Sequence, residues 1–169
     1  MNLQKPILVN AVLFQIGWWT VVLTSPLANW LPLFITLIIL LIHFKFVSSE
    51  PWVDLKLAIL TAILGFLVDS LMLRFEVYKL PNNALYAPIW LVCLWALFSM
   101  SLRLSMRWLW SRLWLSALLG AIFGPISYAA GSKLGILDFG SPKLVCLALS
   151  SLSWMIAMPV LVVCARPKS

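Results

Sequence analysis

The residue with the clearest chemical capacity in this sequence is Asp69, which lies in the apolar stretch from Leu55 to Phe75. A carboxylate inside a membrane-spanning helix costs roughly 2.5–3.5 kcal/mol on insertion scales, so we expect it to face other helices and to have a polar partner. Arg74 is five residues further on, about 140° around an α-helix, and is therefore not a same-face partner. A structural role, a role in proton transfer or substrate contact, and interfacial exposure all remain open for Asp69.

The second feature is a run of small residues at four-residue spacing in the stretch from residue 110 to residue 130. Small residues at this spacing let two helix backbones approach closely. Pro125 has no backbone N–H, which frees a carbonyl near Ala121 and predicts a kink. A kinked helix beside polar side chains is also how membrane proteins line cavities. The predicted packing positions are Ser116, Gly120, Gly124 and Pro125, with Gly131 and Gly135 beyond the helix end.

Depth in the membrane connects these two features. In a chain that crosses the membrane six times with its N-terminus inside, Asp69 and Tyr128 fall in the same half of the membrane, the outer one. Several aromatic residues and one serine reach a similar depth. The sequence therefore predicts an outer-half pocket lined by some of Trp18, Trp19, Asp69, Trp90, Ser127 and Tyr128.

The composition predicts the membrane-spanning helices that position these residues. Of the 169 residues, 63% are hydrophobic and 10% are charged, whereas a soluble domain is about 45–50% apolar and about 25% charged. This excess predicts an all-α, polytopic membrane protein that forms a single transmembrane domain over residues 1–169. A membrane core about 30 Å thick needs about 20 helical residues to cross it. Six spans are predicted, approximately at residues 7–24, 27–47, 55–75, 84–106, 110–130 and 143–165.

The basic residues predict the orientation of these spans. With an inside N-terminus, eight Lys and Arg residues fall in inner segments and four in outer segments, which favours cytoplasmic N- and C-termini. The net charge of +7 is therefore interpreted as a topology signal, and nucleic acid is excluded as a partner. The inner set is Lys5, Lys45, Lys56, Arg103, Arg107, Arg112, Arg166 and Lys168, and the outer set is Arg74, Lys79, Lys133 and Lys143.

Other candidates for chemistry are weaker. His43, at the inner end of the second span, is interpreted as a lone interfacial histidine. The inner segment between the fourth and fifth spans is basic and aromatic, which indicates either a positive-inside anchor or contact with anionic lipid headgroups. The sequence contains no P-loop, nucleotide fingerprint, metal-ligand cluster or Ser-His-Asp set, so we expect no cofactor and no metal. The residues of the inner segment are Arg103, Arg107, Trp108, Trp110 and Arg112.

The motifs along the chain carry a family likeness. They are Gly65-x3-Asp69, Pro88-x-Trp90, Trp95-x-x-Phe98, Gly120-x3-Gly124-Pro125-x-Ser127-Tyr128-x-x-Gly131-x3-Gly135, Trp154 and Pro159. With these residues, essentially the whole chain resembles domain-of-unknown-function family 2878, which are small bacterial inner-membrane proteins without established activity. Members are often encoded near cyclopropane-fatty-acid-synthase-like and amine-oxidase-like proteins. By association, the resemblance therefore implies membrane-lipid modification or envelope stress.

Three functions are consistent with these observations. The leading interpretation is a non-catalytic bundle that binds membrane lipids, a membrane protein partner or a second copy, and assists lipid modification. The second is an intramembrane enzyme acting on a lipid, with Asp69 as acid or base and Tyr128 or Ser127 assisting, which requires a second polar group within hydrogen-bond reach. The third is a small-solute or proton-coupled carrier, for which six helices and one buried acid are sparse unless the protein oligomerises.

Overall fold

The computed structural model describes residues 4–28 and 30–167. Lys168, which belongs to the predicted inner set, lies outside the described residues. The described chain is all-α apart from a two-stranded ladder and one 3-10 helix, Arg107–Ser111. Its helices are α1 (Gln4–Thr24), α2 (Leu31–Phe46), α3 (Pro51–Arg74), α4 (Ile89–Arg103), α5 (Leu113–Lys133) and α6 (Lys143–Ala165), and its strands are β1 (Tyr78–Lys79) and β2 (Asp138–Phe139).

Four of the six helices, α1, α3, α5 and α6, are long and apolar enough to cross a membrane, which indicates a multi-pass membrane protein. The apolar helices α2 and α4 have 16 and 15 residues. At 1.5 Å per residue these two helices reach about 24 and 22 Å, which is short of a core about 30 Å thick. The six-span count and the cytoplasmic termini therefore stay predictions.

Proline positions account for most of the differences between the predicted and observed helix ends. Pro32 occupies the first turn of α2, where its missing N–H costs nothing. Pro51 begins α3 four residues before the predicted start, and Asp54 in the first turn complements the helix dipole. Pro88 disfavours helical geometry in the residue before it, and α4 begins only at Ile89.

The bounds of α5 also differ from the prediction. The 3-10 helix Arg107–Ser111 takes the place of the expected first turn, so α5 begins at Leu113. The helix continues to Lys133, which places Gly131 inside α5 and corrects the expectation that it lies beyond the end. Gly135 does lie beyond the end and has a φ of +74°, a left-handed conformation that glycine adopts at little cost.

The chain forms two compact units. The first unit contains α1, α2, α3 as far as Gly65, and α4. Helices α1, α2 and α4 pack against one another, and α3 approaches α4 where Gly65 faces Trp95, because a Cβ added to this glycine would overlap the indole ring. The core of this unit is formed by Val21, Ile39, Leu40, Cys93, Leu97 and Met100.

The second unit contains α3 from Phe66 onward, the connection from α3 to α4, and α5 and α6. Strands β1 and β2 pair antiparallel, with Tyr78 opposite Phe139 and Lys79 opposite Asp138. The ladder thereby joins the α3–α4 connection to the α5–α6 connection, an association that the sequence did not predict. The buried side chains in and next to the two strands are Val77, Tyr78, Leu80 and Leu137.

Candidate functional site

Asp69 lies in the last third of α3 and is fully buried, with 0% of the residue exposed. The hydroxyl group of Tyr128, on α5, donates a hydrogen bond of 2.5 Å to Asp69 Oδ1. Both residues belong to the second unit. The structure therefore gives Asp69 a polar partner on another helix, as a carboxyl group inside a membrane-spanning helix requires.

Tyr78, on β1, completes what we call the Asp69 cluster, which consists of Asp69, Tyr78 and Tyr128. The Tyr78 ring stacks on the Tyr128 ring with centroids 5.1 Å apart and planes at 28°, and its hydroxyl lies 3.5 Å from the backbone carbonyl oxygen of Asp69. Burial raises the pKa of Tyr78 well above its usual value, and the nearby charge of Asp69 raises that pKa further. Tyr78 therefore stays a neutral hydrogen-bond donor.

The face of α5 that carries Tyr128 is the buried face of the helix. Gly124, one turn before Tyr128, lies so close to α6 that an added Cβ would fall 2.6 Å from Trp154 Cβ. At Gly120, an added Cβ would fall 2.7 Å from Met158 Cβ. The buried residues of α5 are Ser116, Gly120, Gly124, Tyr128 and Gly131.

Pro125 determines a second contact between α5 and α6. A proline at this position cannot donate a hydrogen bond to the carbonyl of Ala121. Ser151 Oγ, on α6, donates to that carbonyl oxygen at 2.6 Å. The hydrogen bond that the helix loses at Pro125 is therefore replaced by one between helices.

Beside this contact lies a groove of about 380 Å³ between the two helices, which we call the α5–α6 groove. It is open to one side of the pair, and its lining residue Ile126 is exposed. No lining residue carries a charge. The lining residues are Pro125, Ile126 and Ala129 on α5, and Leu147, Ala148 and Ser151 on α6.

Of the six residues of the predicted pocket, the structure brings Asp69 and Tyr128 into direct contact. Ser127 is half-buried, and its hydroxyl donates to the carbonyl oxygen of Gly124 on its own helix at 2.7 Å. The three predicted tryptophans, Trp18, Trp19 and Trp90, belong to the first unit. A pocket that contains all six residues stays a prediction.

The tryptophans have their own packing in the first unit. The Trp18 and Trp19 rings contact each other edge to face, with centroids 5.0 Å apart. Trp19 is exposed, and Trp90 packs against the core of the unit.

A polar cluster in the first unit was not predicted from the sequence. His43 is fully buried, and its Nε2 lies 3.3 Å from Asp54 Oδ2. Arg103 Nη1 donates to Asp54 Oδ1 at 2.7 Å, and Nη2 of the same residue pairs with Glu50. Ser48 Oγ also donates to Asp54 Oδ2. The cluster thus connects the end of α2, the start of α3 and the end of α4.

One sequence interpretation is wrong at this cluster. His43 is not a lone interfacial residue, because it is buried beside Asp54. Arg103 pairs with Asp54 and Glu50, and its role in a positive-inside anchor or in contact with lipid headgroups stays a prediction. The predicted spans place Arg103 and Asp54 at the same end of the bundle. This shared position is the sequence signal that could have revealed their pairing.

Within residues 4–28 and 30–167, no group of three or more His, Cys, Asp or Glu side chains could hold a metal ion. The three cysteines in this part of the chain, Cys93, Cys146 and Cys164, are free thiols.

Comparison with known proteins gives a match at the level of the family. The model of the family described as "Protein of unknown function (DUF2878)" matches residues 7–160. Searches of curated proteins and of solved structures gave no match. The matched range includes the Asp69 cluster, the α5–α6 groove and every motif from Gly65 to Pro159 that carried the resemblance. The chain therefore belongs to the DUF2878 family, as its motifs predicted.

Proposed function

We propose that this protein is a non-catalytic, multi-pass protein of the bacterial cytoplasmic membrane that binds a membrane lipid and assists lipid modification or the response to envelope stress. The observation that carries the proposal is the α5–α6 groove. Its volume of about 380 Å³ lies within the range of about 300–1,000 Å³ typical of ligand sites. The groove is therefore large enough to hold part of a lipid acyl chain.

The chemistry of the groove also favours an acyl chain. The hydroxyl of Ser151 and the carbonyl of Ala121 already bind each other, so this polar pair does not require a ligand. What remains on the walls is the hydrocarbon surface of Ile126, Ala129 and Leu147. Because α5 and α6 are both long and apolar enough to cross a membrane, acyl chains are the molecules that surround this face.

Photolabelling tests the proposal. The purified protein in nanodiscs is irradiated with a phospholipid that carries a diazirine in its acyl chain, and labelled peptides are mapped by mass spectrometry. We expect labels concentrated on α5 near Ile126 and on α6 near Leu147. Ala148→Trp fills the groove from an exposed position and should remove these labels. Leu149→Trp changes a neighbouring exposed residue outside the lining and should retain them.

Labelling spread evenly over every exposed helix face, or unchanged by Ala148→Trp, would contradict lipid binding in the groove. Comparative lipidomics of a deletion strain, with and without oxidative or envelope stress, tests the accessory role. An unchanged lipid composition in every condition would contradict that role.

The Asp69 cluster favours a second candidate, an intramembrane lipid-modifying enzyme with Asp69 as acid or base. Tyr128 supplies the second polar group within hydrogen-bond reach that such chemistry requires. Asp69 and Tyr78 are, however, fully buried, so a substrate could reach the carboxyl group only after this packing opened. A proton-coupled carrier would depend on the same carboxyl group.

Asp69→Asn separates these candidates from lipid binding, because an amide keeps the size of the side chain and cannot exchange the proton. The binding proposal predicts unchanged lipid composition and unchanged labelling of the groove. Loss of a lipid product in the strain carrying Asp69→Asn, with labelling retained, would instead support the enzyme.

A further inference from the structure

The α5–α6 groove has one basic end. On α5, Ile126, Ala129 and Lys133 are spaced at i, i+3 and i+7, which places them on one face of the helix. On α6, Lys143 precedes Leu147 by one turn. Both lysines are exposed.

The antiparallel packing of α5 and α6 brings these lysines to the same end. Gly120 faces Met158 on α6, and Gly124, one turn later on α5, faces Trp154, one turn earlier on α6. Continuing in this direction, the end of α5 at Lys133 lies level with the start of α6 at Lys143.

The lysines are within reach of the groove. Lys133 follows Ala129 by four residues and Lys143 precedes Leu147 by four, so each Cα lies about 6 Å along its helix from the last lining residue. A lysine side chain can extend its ammonium group over apolar surface toward a polar boundary.

The charge at this end is complementary to an anion. The connection from α5 to α6 contains one acid, Asp138, against the two lysines that flank it. Glu76, whose backbone lies against Gly140 of this connection, pairs with Lys79. Lys143 is the first residue of α6, where the helix dipole disfavours a cation and favours an anion. The helix terminus and the two lysines would therefore all attract a bound phosphate.

We propose that the α5–α6 groove binds an anionic phospholipid, with an acyl chain between the helices and the headgroup phosphate between Lys133 and Lys143. This inference rests on the proposed function of the groove and adds the class of lipid that it selects. A zwitterionic lipid would gain the same apolar contacts, but its own ammonium group would offset the attraction of the lysines.

Paired photolabelling tests this selectivity. Phosphatidylglycerol and phosphatidylcholine with identical diazirine-bearing acyl chains are compared in nanodiscs that contain the full chain. We expect the parent protein to favour phosphatidylglycerol, by about fivefold for each lysine that contacts the phosphate. Lys133→Gln combined with Lys143→Gln should abolish the preference while labels stay in the groove.

Two controls complete the experiment. Lys79→Gln removes a lysine that pairs with Glu76 at 2.9 Å and should keep the preference, as should Lys133→Arg combined with Lys143→Arg. Equal labelling of the parent by both lipids, or a preference that survives the double glutamine variant, would overturn the inference and leave the lipid-binding groove intact. Labelling of the groove by neither lipid would instead contradict the proposed function itself and the inference with it.

Discussion

The structure gives a direct expectation for how removal of the Tyr128 hydroxyl changes the free energy of unfolding. Tyr128→Phe deletes the donor that lies 2.5 Å from Asp69 Oδ1 and leaves the ring that stacks on Tyr78. The change is therefore confined to the hydroxyl group, which lies in a buried site.

The expected loss of stability is the free-energy cost of removing this donor. Removal of one donor from a buried hydrogen bond costs about 1–3 kcal/mol. Hydrogen bonds between helices in a membrane average about 0.6 kcal/mol and reach about 1.7 kcal/mol. We therefore expect Tyr128→Phe to lower the free energy of unfolding by about 1–2 kcal/mol.

The assay is unfolding in mixed micelles with increasing SDS, followed by circular dichroism. Tyr86→Phe is the matched control, because Tyr86 is 62% exposed and should change the free energy of unfolding by less than about 0.5 kcal/mol. If Tyr128→Phe were as small in effect as this control, the Tyr128–Asp69 hydrogen bond would not stabilise the second unit, and the account of the Asp69 cluster would be refuted.

Two further substitutions test the packing of each unit. Gly124→Leu should strongly reduce the amount of folded protein in the membrane, because even its Cβ would overlap Trp154; normal accumulation on quantitative blotting would show that α5 and α6 do not pack this closely. Arg103→Gln leaves Asp54 without its charged donor and should lower the free energy of unfolding by about 3 kcal/mol. In the same micelle assay, the exposed Arg112→Gln should cause little change, and equal effects of the two arginine variants would argue against the buried ion pair.

The contact between Asp69 and Tyr128 illustrates how much of the site the sequence could predict. Span counting places both residues in the same half of the membrane, and the cost of burying a carboxyl group requires a partner on another helix. Depth, however, does not determine the rotation of a helix about its axis. A pocket that Asp69 and Tyr128 share with Trp18, Trp19 and Trp90 therefore stays a prediction.

Tyr78 shows what sequence patterns leave out. It lies in the connection between two apolar stretches, and its position depends on the pairing of β1 with β2 across 60 residues of sequence. Two-residue strands carry no detectable alternation of polar and apolar residues. Tyr78 could therefore not be assigned to the Asp69 cluster from the sequence alone.

The helix lengths were predictable to different degrees for a physical reason. The bounds of α6 agree with the predicted residues 143–165, since the helix begins after Pro142 and its apolar stretch is continuous. By contrast, α2 and α4 are shorter than their apolar stretches. Hydropathy extends through Leu27 and Leu85, but proline and turn residues hold these segments outside the helices.

The central claim is that a lipid acyl chain occupies the α5–α6 groove. The most direct measurement is a structure of the full chain crystallised from a lipidic mesophase doped with phosphatidylglycerol. We predict continuous acyl-chain density along Ile126, Ala129 and Ala148, ending in a phosphate near Lys133. A groove closed by its own side chains, or filled by a helix of a second copy, would contradict the claim.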